Sequence, residues 1–297
     1  MKRRDIILED VKNCKTQKEG ATFPSIFPGF SIHLPVRYHG MLYPPVPESL
    51  MNMLFLDLAE IDAPLPRSDT RVQHVLKVLK KGQGDELAAG TPDGMLGIAR
   101  IEAWDGQAMR FSFQAERTAP PLRPITLLLG FPRPIQANRI LKDLSSLGVG
   151  RIVLSGTELG EKSYFQSDFF RNREFRQALI EGAQQAANPR LPLVDTAWSL
   201  ARALDLLFGG SPCHAGLGWA LDPYRATGAF GSADLPGATE SEPLVLAIGS
   251  ERGWTPAELD LLAERSFGFA SLGNRILKTE TAAVAAVAVA LARLGYL

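Results

Sequence analysis

The sequence predicts an α/β protein in two parts, a small β-rich N-terminal domain and a larger C-terminal domain built on a mostly parallel sheet. Three observations carry this reading. From Ile125 onward, short apolar runs of strand length alternate with helical patterns, the pattern of a sheet covered by helices on both faces. Between Met53 and Gln114, short strands instead follow one another through turn signals, with one helical insert. Ala119-Pro120-Pro121-Leu122-Arg123-Pro124 separates the two regions, because prolines this dense make a stiff, extended linker. The resulting division is an extension over 1–50, a small domain over 51–119 and a large domain over 120–297.

The extension differs in kind from the rest. Met1 to Gly20 mixes charges, and Ala21 to Leu50 carries Pro24, Pro28, Pro35, Pro44, Pro45 and Pro47. Prolines at that spacing oppose a regular helix or central strand. The segment reads as an arm or disordered leader, with Lys2, Arg3 and Arg4 as candidates for contact with an anionic partner, or as untranslated sequence ahead of a start at Met51 or Met53.

In the small domain Leu54-Phe55-Leu56 is the first strand. Asp69 to Lys80 spaces Val72, Val75, Leu76 and Leu79 along one helical face. Its other face is basic: Arg67, Arg71, Lys77, Lys80 and Lys81 outnumber Asp69 by four charges between Leu65 and Lys81. Gly82-Gln83-Gly84-Asp85, Pro92-Asp93-Gly94 and Asp105-Gly106 are turns, and Gly97 to Ile101 and Met109 to Gln114 complete a small barrel.

The large domain opens with Ile125 to Gly130 as a buried strand. A helix from Pro134 turns Ile140, Leu141, Leu144 and Leu147 inward and closes at Gly148. Arg151 to Ser155 is the next strand. Phe170 to Ala187 reads as one long helix, Leu200 to Leu207 as another, and Cys213 to Trp219 as a strand. Leu244 to Ile248 is a fully apolar strand that stops at Gly249-Ser250-Glu251-Arg252-Gly253-Trp254. Thr255-Pro256-Ala257-Glu258 then supplies an N-cap, a proline at the first helical position and the reciprocal Glu of a capping box. Phe267 to Leu272 is a strand ending at Gly273-Asn274-Arg275-Ile276-Leu277-Lys278, and Thr279-Glu280-Thr281 opens an Ala/Val-rich helix reaching Leu294.

Composition narrows the function classes. The formal net charge is zero and the pI about 6.9, so no global field favours nucleic acid and any such contact has to come from local patches. Cys14 and Cys213 are the only cysteines, which argues against a disulfide framework, fits a reducing cytosol and leaves too few ligands for a metal site. No apolar run approaches the ~18 to 20 residues of a membrane span. Two strands that end in glycine loops within one short segment point to a ligand site, since open α/β sheets bind ligands at the carboxyl ends of strands and glycine admits close backbone approach.

The words Gly249-Ser250-Glu251-Arg252-Gly253-Trp254-Thr255-Pro256-Ala257-Glu258 and Ser271 to Ala283 resemble the two signature segments of the 16S ribosomal RNA N3-uridine methyltransferase family, in the SPOUT superfamily. Gly148-Val149 with Ile152, Glu181-Gly182-Ala183-Gln184-Gln185 with Arg190 and Pro192, and the His74-Val75-Leu76-Lys77-Val78-Leu79 word with Gly84-Asp85 add to the resemblance, which spans about Met53 to Leu297. Asp143 and Ser146 stand where the family shows Lys and Glu, Leu159-Gly160 interrupts an acidic-Arg-Ser word, and Ser250 and Arg252 replace Pro and Gly.

The resemblance implies an S-adenosylmethionine-dependent methyltransferase with a deep C-terminal trefoil knot, a PUA-like RNA-binding N-terminal domain and a homodimeric assembly acting on ribosomal RNA or the small ribosomal subunit. It places the cofactor at Leu129, Gly130, Ala247, Ile248, Gly249, Ser250, Glu251 and Gly253, and at Ser271, Leu272, Gly273, Arg275, Ile276 and Leu277. RNA falls to Arg67, Arg71, His74, Lys77, Lys80 and Lys81. A sulfonium donor is already activated, so the chemistry needs positioning, a cation for charge developing on the acceptor ring and a route for its proton. Arg275 and Lys278 are candidates for the cation, and Glu251 for a base or cofactor contact. A ribose 2′-hydroxyl acceptor, and an RNA-binding relative without transfer activity, remain as alternatives.

Overall fold

A computed structural model of the chain describes residues 36–38, 41–43 and 53–297. Val36–Tyr38 (β1) and Met41–Tyr43 (β2) pair antiparallel, so the extension holds a short hairpin despite its prolines. The other residues of 1–50, with the Lys2-Arg3-Arg4 arm, and the alternative start Met51 lie outside the described residues.

The small domain is a five-stranded sheet in the order β3-β5-β6-β7-β4, with Leu54–Phe55 (β3), Pro64–Pro66 (β4), Glu86–Gly90 (β5), Met95–Trp104 (β6) and Ala108–Thr118 (β7). Strand pairing leaves β3 and β4 as its two edges. The β6–β7 hairpin runs further than the alternation suggests, because two bulges let it curve and stay paired. Its turn is fixed by Asp105, whose Oδ1 accepts the Gln107 and Ala108 N–H groups at 2.8 Å each. Helix α1 (Thr70–Lys77) is capped by Asp69, whose Oδ1 accepts the Arg71 N–H at 2.8 Å. Val72 and Val75 drop from it into a core with Leu56, Ile101 and Phe111.

The large domain is a six-stranded parallel sheet in the order β10-β9-β8-β12-β11-β13. Its strands are Arg123–Gly130 (β8), Val149–Ser155 (β9), Leu193–Ala197 (β10), Gly218–Leu221 (β11), Leu244–Ile248 (β12) and Gly268–Ala270 (β13). Helices α2 (Pro134–Ser146), α5 (Phe175–Gln185) and α8 (Thr279–Arg293) cover one face, where Leu127 and Leu129 point. Helices α6 (Leu200–Phe208) and α7 (Pro256–Glu264) cover the other, where Leu128, Val245 and Ala247 point. That alternation is the period-two geometry of strands buried on both sides.

Three sequence readings need correction. The long helix over Phe170 to Ala187 is two helices, α4 (Asp168–Arg171) and α5, which follow the short α3 (Lys162–Phe165), with Arg173 left-handed at φ 55° between them. Phe170 and Phe175 are both buried in one aromatic cluster with Phe131 and Phe169. In a continuous helix they would point about 140° apart, so the break lets both face inward. The strand read over Cys213 to Trp219 lies instead at β11, because Gly218 to Ala220 pair with β12 and Trp219 to Leu221 with β13. Leu193 to Ala197, which the sequence reading passed over, is the edge strand β10.

The two domains meet through polar contacts. Arg176 Nη2 donates to Asp57 Oδ1 at 2.6 Å, Gln184 Nε2 to the Met53 carbonyl at 3.0 Å, and Arg190 Nε to the Ala119 carbonyl at 3.2 Å.

Candidate active site

Because the sheet is parallel, the carboxyl ends of β8, β12, β11 and β13 all emerge on one edge. Ile248 pairs with Leu129, Ala220 with Ala247, and Leu221 with Ala270, so the loops after these strands start at nearly one level. The loops after β12, β11 and β13 enclose a cavity of about 200 Å³. Ile248, Gly249, Ser250, Glu251, Gly253, Leu272, Gly273, Arg275, Ile276 and Leu277 line it, which brings together most of the cofactor residues expected from the sequence. Leu129, Gly130, Ala247 and Ser271 are not on its wall. Gly130 lies behind that wall, where a Cβ would stand 2.4 Å from the Ser250 backbone nitrogen.

The loop after β12 is a tight turn. Gly253 N–H donates to the Ser250 carbonyl at 2.9 Å, and Ser250 Oγ donates to the Gly253 carbonyl at 3.3 Å. Gly249 admits this close return, since a Cβ there would lie 2.7 Å from the Gly253 carbonyl carbon. Gly253 and Gly273 have φ of 76° and 115°, and a Cβ at either would meet no protein atom within 4 Å. Two left-handed glycines with open space beside them make a backbone cradle that side chains would otherwise fill. Trp254, 7 % exposed, lines the same cavity, and its indole N–H has no hydrogen-bond partner among the described residues. Open glycine backbone and an unpaired buried donor fit a polar, nucleoside-sized ligand.

The loop is held from behind by Glu258, which is 5 % exposed. Its Oε2 accepts the Thr255 N–H at 2.9 Å in the expected capping box, and its Oε1 accepts the Glu158 N–H at 2.9 Å, from the loop after β9. Glu251 is exposed, and its Oε1 accepts the Arg133 N–H at the start of α2 at 3.3 Å. The hydroxyl of Tyr164 accepts the Arg133 Nε–H at 2.8 Å and, chiefly through that bond, raises the guanidinium pKa above its ordinary value. Arg275 is exposed on the cavity wall and makes no hydrogen bond or ion pair among the described residues. Lys278 is the N-cap of α8 and does not line the cavity.

Sequence reasoning missed one wall. Leu221 at the end of β11, and Asp222, Pro223 and Tyr224 after it, close the cavity on that side. Placing the strand one step too early hid them, although Asp222-Pro223 is itself a turn signal.

Residues 118–291 match the model of an RNA methyltransferase domain, a span that holds every residue of the cavity wall. Over 250 residues the chain is 39% identical to ribosomal RNA small subunit methyltransferase E of Treponema pallidum, covering 82% of this chain and 91% of that protein. The chain belongs to the small subunit methyltransferase E family. Its fold is shared with ribosomal RNA small subunit methyltransferase E of Neisseria gonorrhoeae bound to S-adenosyl methionine, at a TM-score of 0.65 and 23% identity over 81% of this chain and 98% of that one. A Legionella pneumophila methyltransferase in complex with S-adenosylmethionine is similar at a TM-score of 0.63, with the same identity and coverage.

For a methyltransferase E family member, the basic face of α1 holds fewer open cations than its sequence suggests. Arg71 is half-buried: its Nη1 meets Glu60 Oε2 at 2.6 Å, its Nη2 meets Asp69 Oδ2 at 2.7 Å, and its Nη1 also donates to the Phe55 carbonyl at 3.0 Å. Hydrogen bonds from Arg71 hold both carboxyl groups below their usual range. Lys81 Nζ donates to the Glu86 carbonyl at 2.6 Å and Arg67 Nη1 to the Gly106 carbonyl at 3.3 Å. His74, Lys77 and Lys80 are exposed.

A larger cavity, about 860 Å³, lies between the domains beside α1 and α5. Its arginines and lysine are paired within its own wall, Arg71 with Glu60 and Asp69, Arg176 with Asp57 and Lys142 with Glu181. In the smaller cavity, by contrast, glycine backbone and the unpaired Arg275 meet. Among the described residues no cluster of metal-ligating side chains occurs, and no helix is long and apolar enough to cross a membrane.

Proposed function

We propose that this chain transfers a methyl group from S-adenosylmethionine to N3 of a uridine in small-subunit ribosomal RNA, in the cytoplasm and as a homodimer. The observation that carries the reading is the convergence of the Gly249–Gly253 turn and the Gly273 turn on one cavity with Arg275 at its wall. Bound S-adenosylmethionine supplies a methyl group already activated on sulfonium. The chain's residues then have to bind, orient and neutralise. Backbone at Gly249 to Gly253 and Leu272 to Leu277 holds the donor, which fixes the direction from which an acceptor approaches.

At the acceptor, methylation of N3 removes a proton and spreads negative charge onto the uracil carbonyls. Arg275 is the cation for that charge, since no protein partner neutralises it. Glu251, anchored through one oxygen at the start of α2, keeps its other oxygen for the N3 proton. The small domain serves as the PUA-like RNA-binding module through His74, Lys77 and Lys80, contacts that position RNA without reading its sequence.

A C-terminal trefoil knot is supported by the strand exit. Residues 227–230 run beside β13, with Thr227 N–H donating to the Phe269 carbonyl at 3.1 Å and Phe230 N–H to the Ser271 carbonyl at 2.8 Å, and α8 packs against this segment and β12. Small residues along α8 give the close-packing surface a dimer would use. Mass spectrometry of nucleosides from small-subunit RNA, in cells with and without this chain, tests the reading: N3-methyluridine should disappear without it, and an unchanged level overturns it.

A further inference from the structure

At the exit of β11, Asp222 is a carboxylate that the fold buries without fully partnering it. It is 5 % exposed and lies on the wall of the glycine cavity. Its Oδ1 accepts two backbone N–H groups, from Tyr224 at 2.9 Å and Arg225 at 2.8 Å. Its own N–H donates to the Ala270 carbonyl at 3.2 Å, which ties the turn to the end of β13. Arg225, next along, is pinned by Asp260 at 2.6 Å and lies 4.8 Å from the Phe269 ring centroid. Nothing among the described residues donates to Asp222 Oδ2. Oδ2 is therefore the oxygen left open on the cavity wall, where a donor carried by a ligand can reach it.

We infer that Asp222 recognises the donor's ribose, its Oδ2 accepting a hydroxyl of S-adenosylmethionine. The inference rests on the donor pocket proposed above. Position favours the ribose over the ends of the molecule. Strand order is β12-β11-β13, so Asp222 emerges between the Gly249–Gly253 turn and the Gly273 turn. If those two turns hold the donor's ends, the group between them meets its middle, the ribose. A hydroxyl also suits the chemistry, giving a short charge-assisted bond to a carboxylate whose rigid turn has already fixed its direction. Arg252 and Arg275 line the same cavity, and neither pairs with Asp222.

The test compares the wild-type chain and Asp222→Asn by calorimetry, with S-adenosylmethionine, 5′-methylthioadenosine and their 2′-deoxy and 3′-deoxy analogues. Asparagine keeps the Oδ1 acceptor that caps the turn and replaces Oδ2 with a donor. The expected result is a loss of about tenfold or more in affinity for both parent ligands, the size of one hydrogen bond to a charged group. For at least one deoxy analogue the variant and the wild type should bind alike. The wild-type chain should itself lose about tenfold on removal of that hydroxyl, a readout that does not depend on the variant folding. Unchanged binding of S-adenosylmethionine by Asp222→Asn overturns the inference. So does a loss confined to S-adenosylmethionine and absent with 5′-methylthioadenosine, which would place Asp222 at the methionine ammonium. A wild-type chain that binds none of the ligands overturns the donor pocket itself.

Discussion

Gly130 and Ser250 touch backbone to backbone: a Cβ on Gly130 would stand 2.4 Å from the Ser250 nitrogen and 2.8 Å from the Gly249 carbonyl carbon. The end of β8 is thereby the floor on which the turn after β12 rests. Gly130→Ala forces that turn to move, because both neighbours are backbone. The expected cost is about 1 to 3 kcal/mol of stability, as for other overpacked sites, with weakened S-adenosylmethionine binding. Urea unfolding and calorimetry check the pair of effects, and full affinity with wild-type stability would show that the turn does not depend on this contact.

The Glu60–Arg71–Asp69 group should make the small domain sensitive to acid. Hydrogen bonds from Arg71 lower both carboxyl pKa values in the folded state, whereas unfolded Asp and Glu titrate near pH ~4. The stabilisation is therefore complete above about pH 4 and is lost as pH falls through the lowered folded values. Arg71→Met should lower the urea midpoint at pH 7, and its gap to the wild type should narrow as the pH drops toward 3. A gap that is constant with pH would mean that Arg71 stabilises by packing alone.

For RNA, Lys77 and Lys80 rather than Arg71 are the cations to change. Reversing both to Glu should weaken binding of small-subunit RNA and reduce the slope of log affinity against log salt by about two, roughly one per phosphate contact. Affinity for S-adenosylmethionine should stay the same. Filter binding over a salt series measures the slope, and an unaltered slope removes this face of α1 from the interface.

Much of the glycine cavity was legible because its signals are local. Thr255, Pro256 and Glu258 announce the start of α7 within four residues, and the structure has that capping box. Gly253 and Gly273 mark turns whose left-handed backbone glycine adopts most comfortably, and Gly249 marks a close backbone approach. Relations between distant residues were not legible. Glu60 neutralises Arg71 from 11 residues away, and Glu258 reaches Glu158 across 100. The wall at Asp222 was missed because β11 is only four residues long and takes its identity from β12 and β13 on either side. The break at Arg173 is likewise tertiary, set by two phenylalanines that share one core.

Arg275→Ala separates transfer from binding. If Arg275 meets charge that exists only in the transition state, turnover should fall by about 10²-fold or more while S-adenosylmethionine affinity holds, the size of losing one preorganised donor. Single-turnover methylation of small ribosomal subunits measures it. Wild-type turnover in the variant would make this arginine a surface residue.

The central claim is that the glycine cradle holds the methyl donor, and a calorimetric titration of S-adenosylmethionine into the wild-type chain and Gly273→Val tests it most directly. Gly273 sits at φ 115°, which a β-branched residue adopts only under strain, yet its Cβ would strike no protein atom. The domain should fold, and the turn should leave the geometry that grips the donor. The expected result is tight binding by the wild type and a loss of about 10²-fold or more in the variant, from about 3 kcal/mol of strain and lost contact. Equal affinity in the two chains would contradict the account and place the donor elsewhere.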